Sequence, residues 1–88
     1  MIVRILGEGR YDVPEADLPA IEQLDAQLVD ALDHGDEAAF AGSLSDLIGQ
    51  VRHVGAPIPP DDLRNSELAV PHEGSTLAEV RDLLAQGA

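Results

Sequence analysis

The hydrophobic period of this 88-residue chain changes at Pro14, and that change limits what it can fold into. Ahead of it the apolar residues follow strand rules. Ile2 to Leu6 is apolar and β-branched on both alternating sides apart from Arg4, as in a central strand covered on both faces. Arg10 to Val13 alternates, with Tyr11 and Val13 on one side and Arg10 and Asp12 on the other, as in a half-exposed edge strand stopped by Pro14. Gly7, Glu8 and Gly9 between them fit a short hairpin loop in which Gly9 takes a positive φ. From Asp17 onward the step becomes three and four. Ile21, Leu24, Leu28, Ala31 and Leu32 form one apolar stripe, and Phe40, Leu44, Leu47, Ile48, Val51 and Val54 form a second. A chain with both periods must build a sheet and lay helices on it.

The helix boundaries are marked by their caps. Asp17 stands at an N-cap, Pro19 in the first turn, and Gly35 just past the end; Asp36 then caps a second helix that Gly55 closes. So short a connection predicts an antiparallel helical hairpin over residues 18–34 and 36–54. APIPPDD reads as a stiff loop, because prolines 57, 59 and 60 oppose both helix and ladder. Glu67 to Val70 reads as a third strand lying beside the first, ended by Pro71. Ser75 or Thr76 begins a last helix over about residues 76–86, with Glu79 three residues after Thr76 as in a capping box and Leu77, Val80, Leu83 and Leu84 facing inward. The expected fold is a single α+β domain over residues 1–88. Its three-stranded sheet (2–6, 10–13, 67–70) carries the helical hairpin and the last helix.

Charge narrows the function. Seventeen acids face five bases, all arginine, for a formal net charge of −12. Such a surface repels nucleic-acid phosphates and anionic lipid headgroups, and the partner its field steers toward is basic. The absence of cysteine excludes disulfides, thiolate metal sites and cysteine nucleophiles. No secretory signal pattern and no apolar run of membrane-spanning length is present, so the chain is expected to be soluble and cytoplasmic.

Chemical motifs read better as structure. The pair in GEG resembles a phosphate loop only superficially: a dinucleotide fingerprint needs a third glycine opening a helix, whereas Arg10-Tyr11-Asp12 continues as strand. His34 lies in DHGDE, where helix caps account for each member, and no second histidine stands at ligand spacing from it. Ser43, Ser45, Ser66 and Ser75 form no nucleophile elbow. Asp61, Asp62 and the acids from Glu15 to Asp17 read as solvated loop and cap charges. No catalytic residue, metal ligand or cofactor is therefore expected. The alternative is a small-ligand sensor or small enzyme using loop carboxylates and His34.

MIVRILGEGRYDVP, LDAQLVDALDHGDEAAF, VGAPIPPDDL, SELAVP and EVRDLL together resemble the small actinobacterial PspA-associated family, PspAA, in order and over essentially the whole chain. The resemblance implies a partner, the coiled-coil phage-shock protein A that protects stressed membranes, and hence a role as a non-enzymatic binding module. Membrane association would then be indirect, through that partner. The residues proposed for contact are Arg10 and Tyr11 on the edge strand and Pro57, Ile58, Pro59 and Pro60 of the stiff loop. Strand alternation leaves Tyr11 two orientations, inward with Val13 or outward at the binding surface.

Overall fold

A computed structural model describes residues 1–87. Strands β1 (Ile2–Ile5) and β2 (Gly9–Asp12) form the antiparallel hairpin, with Val3 opposite Tyr11 and Arg4 opposite Arg10. The turn falls one residue earlier than its glycine spacing implied. Gly7 holds the left-handed position at φ 79° and the Glu8 amide bonds the Ile5 carbonyl, while Gly9 has the expected positive φ, 152°, but already opens β2. A short 3-10 turn over Glu15–Asp17 feeds helix α1 (Leu18–His34). Asp17 makes no side-chain capping bond there. Gly35 ends α1, and Asp36 caps α2 (Glu37–Val54) by accepting from the Ala39 amide at 3.0 Å. Helix α3 (Leu77–Gly87) starts on the capping box, in which the Glu79 amide donates to Thr76 Oγ1 at 3.2 Å.

Two further strands complete the sheet. β4 (Leu68–Val70) lies beside β1, as expected for the third strand, and runs parallel to it. β3 (Ala56–Ile58), inside the segment read as a loop, pairs antiparallel with β2. The strand order is β3-β2-β1-β4, so the sheet has four strands and β2 lies inside it rather than at its edge. Pro57 is compatible with the ladder because, lacking an N–H, it can form only the non-hydrogen-bonded pair with Tyr11, which turns its nitrogen outward at the sheet edge.

Alternation gives the sheet two unlike faces. Val3, Ile5 and Val70 project into the core shared with Ile21 and Leu28 of α1 and Phe40, Leu44, Leu47, Ile48 and Val51 of α2. Tyr11 and Leu68 pack at the margin of that core, which gives Tyr11 the inward of its two orientations. Leu77 and Val80 bring the first turn of α3 onto it, whereas Leu83 is 52% exposed because the core ends short of the next turn; the Leu84 side chain lies outside the described residues. Among the described residues a Cβ at Gly42 or Gly49 would meet nothing close, but one at Gly55 would stand 2.7 Å from the Tyr11 Cβ and 2.6 Å from the Val51 carbonyl oxygen. Only glycine allows α2 to turn so tightly into β3.

Phe40 is 1% exposed and is the only phenylalanine in a core of smaller aliphatics. Phe40→Ala is expected to destabilise the fold by about 3–5 kcal/mol, by transfer loss and a cavity its branched neighbours fill poorly. Urea denaturation of the two proteins measures it, and unchanged stability would contradict the packing described.

Candidate functional site

The strand order sets a problem for the chain. β3 and β4 occupy opposite edges, so residues 59–67 must pass from one side of the sheet to the other. They cross the face away from the helices, as a strap, and Arg10 holds them there. Its guanidinium donates to the carbonyls of Pro59 (3.2 Å), Asp62 and Arg64. Arg10 therefore looks away from the core and replaces the ladder bonds that the strap lacks. Within the strap, the Asp62 carboxylate accepts from the Arg64 amide at 2.9 Å and from its guanidinium at 3.0 Å, and Arg64 reaches back to Asp12 on β2 at 3.7 Å. The Arg64 bonds hold the Asp62 carboxyl below its ordinary value.

Between strap, hairpin turn and sheet lies a groove of about 860 Å³, lined among others by Arg4, Arg10, Ile58, Asp62, Leu63 and Arg64. Three of the chain's five basic residues meet here. Arg4 is exposed, and the ion pairs of the described residues include none to it. Leu63 is 93% exposed at the groove.

At the hairpin turn a second network ties sheet to helix. Glu8 accepts from the Arg52 guanidinium (Nε at 3.0 Å) and from the Tyr11 hydroxyl at 2.7 Å, and Arg52 also pairs with Glu73 at 3.0 Å. The bonds from Arg52 and then from Tyr11 hold the Glu8 carboxyl down at about 2. The same bond to Glu8 pushes the Tyr11 phenol up, since ionisation would set two anions together. Glu8 at the loop tip is thus an anchor for α2.

The proposed contact residues fall into two sets. Arg10 and Tyr11 sit together on β2, engaged by the strap and by Glu8. Pro57, Pro59 and Pro60 are exposed, with Ile58 half-buried, where β3 passes into the strap. His34 lies elsewhere, at the end of α1, where its ring nitrogen bonds the Asp30 carbonyl at 2.8 Å. That bond and the Asp30 carboxylate raise its pKa. The loop acid Asp62 belongs to the strap, so the structure does not bring it to His34. Among the described residues no group of three or more His, Asp or Glu is arranged to hold a metal ion. The sequence carries no sign of the roles of Leu63 and the Glu8–Arg52 pair, and only a weak one for Arg4. The only signal was that Arg4 is a charge within an otherwise apolar strand.

Two expectations test these networks. A carboxylate depressed in the folded state adds stability above its unfolded pKa and loses it as pH falls toward the folded value. The advantage of the native chain over Glu8→Gln is therefore complete above about pH 4.5 and shrinks as pH falls toward about 2, which urea titrations across that window report. Tyr11 is the only tyrosine and there is no tryptophan, so ultraviolet titration reads its phenol alone; Glu8→Gln brings the midpoint down toward the ordinary tyrosine value. The second concerns the strap. Arg10→Met is expected to cost about 1.5 kcal/mol, the lower end for bonds to a charged group since the site is only partly buried. Amide exchange over residues 61–66 accelerates while the helical stretch Leu47–Val51 stays protected; equal protection of the strap in both proteins would contradict its tether.

No curated protein and no solved structure matches the chain. A family match covers residues 1–88, the full length of the strap, sheet and helices just described, and its description is PspA-Associated protein. The chain belongs to the PspAA family.

Proposed function

We propose that this chain is a non-catalytic, acidic protein-binding module that partners a PspA-like coiled coil in the cell-envelope stress response. The match of the entire chain to a family described by its association with PspA carries the reading. That description names an association and no reaction. The charge layout supports it. Across the helical hairpin, Glu22, Asp25, Asp30, Asp33, Asp36, Glu37 and Asp46 stand against Arg52 alone. Most of these acids are exposed, and they give the helix layer a net negative charge. The field of such a charge guides a basic stretch of a partner helix to the domain.

The largest carboxyl shift, at Glu8, is accounted for by a structural ion pair, which is the common non-catalytic origin of such shifts. In the proposed complex Pro57, Ile58, Pro59 and Pro60 supply contact specificity. Arg10 and Tyr11 act from behind by fixing that surface. No helix among the described residues is long and apolar enough to cross a membrane. A cytoplasmic chain would reach the membrane through its partner.

Electrostatic steering predicts a kinetic signature. From low to physiological ionic strength the association rate with the purified coiled coil should fall by about tenfold, while dissociation changes little. Stopped-flow or surface-based kinetics measure both. A salt-independent association rate, or no complex at micromolar concentration, refutes the reading.

A further inference from the structure

We infer that the arginine-bearing face of the sheet is a second docking surface, which takes an acidic segment of the same coiled-coil partner through Arg4 and Leu63; this rests on the function proposed above. Register supplies the first argument. Arg4 and Arg10 are direct cross-strand partners on the same face of the β1–β2 pair. Like charges directly opposite on a sheet are destabilising. Arg10 relieves its own charge against three strap carbonyls, but Arg4 has neither such carbonyls nor an ion pair among the described residues. The two acids lining the groove do not compensate it, because Glu8 is bound by Arg52 and Asp62 by Arg64. An incoming carboxylate supplies the missing partner.

The second argument is apolar. Leu63 is 93% exposed, and the Arg10 bonds to Asp62 and Arg64 on either side hold it at the groove. Half-buried Ile58 lines the same depression. The groove thus presents a cation beside an aliphatic surface, which fits an acidic residue flanked by an apolar one. The third argument is exclusion. The chain carries a net charge of −12 and gathers three of its five bases here, so an acidic segment is repelled over most of the surface and admitted at this face. Coiled coils carry both acidic and basic stretches beside their apolar seam, so one partner offers a ligand for each face. The helix layer and the sheet face point in opposite directions, so they engage two separate segments.

The test uses the full chain, the full-length coiled coil and the fact that the chain contains no lysine. Arg4→Lys introduces its only side-chain amine, which a carbodiimide joins to a carboxylate in direct contact. The expected product links position 4 to an Asp or Glu of the coiled coil, located by mass spectrometry. Arg4→Glu is expected to weaken the complex by about tenfold or more, and Leu63→Ser by about threefold, chiefly through faster dissociation. Arg4→Lys keeps affinity within about threefold. Unchanged affinity in Arg4→Glu, while Glu22→Gln with Asp33→Asn slows association, overturns this inference and leaves the proposed function standing. A cross-link from position 4 to an acid of a second copy of this chain also overturns it, assigning the face to self-association. No complex with the native chain overturns both.

Discussion

A segment that must cross a sheet without joining it needs its carbonyls satisfied by something other than a ladder, and Arg10 meets that need. Strand order forces the crossing, since β3 and β4 stand on opposite edges. A guanidinium suits the task because its planar fork carries several donors and no acceptor, so one side chain serves three carbonyls at different heights. Everything on the outer face follows from that anchorage. The strap defines one wall of the groove, keeps Leu63 in solvent and carries Arg64 back over Asp12. The inner face depends on the strap as well, because the route it takes allows β4 to lie beside β1 and deliver Val70 to the core.

The result is a domain whose helix side is crowded with acids while three of its five arginines gather at the outer face of the sheet. Helices offer long exposed flanks where acids cost little, and α1 holds no lysine or arginine at all. The outer sheet face is crowded by backbone carbonyls of the crossing segment, and carbonyls attract cations. Arginine on that side therefore has a structural origin through Arg10, with Arg64 bracing the strap. Arg4 shares the address without sharing the work.

What was legible in the sequence was local. The change of period separated strands from helices, and the caps at Asp36 and Thr76 bounded helices correctly because each acts on amides within one turn. The placement of β4 beside β1 followed from reading Ile2 to Leu6 as central. β3 escaped because proline reads as a breaker, although an outward-facing edge position makes no use of its missing N–H. Without β3, β2 reads as an edge strand, with Arg10 on its outer side and Tyr11 free to turn either way. Their real partners, the strap carbonyls and Glu8, show that one alternating strand served both faces. Arg10 meets residues about fifty positions away in the chain, a separation at which no local pattern signals contact. Of the groove lining, the sequence singles out Arg10, Ile58 and Pro60 as contact candidates, whereas exposed Leu63 and the meeting of three arginines depend on the strap's path and carry no local signal.

Pro57 has a consequence for how this domain behaves in company. A bare strand edge invites a neighbouring chain to extend the sheet, and many small β-containing proteins aggregate by that route. The central residue of β3 has no proton to offer an incoming strand, and the proline at 59 follows immediately after the strand ends. Copies of the domain gathered side by side on one scaffold would meet, along this border, a margin that does not template fibrils.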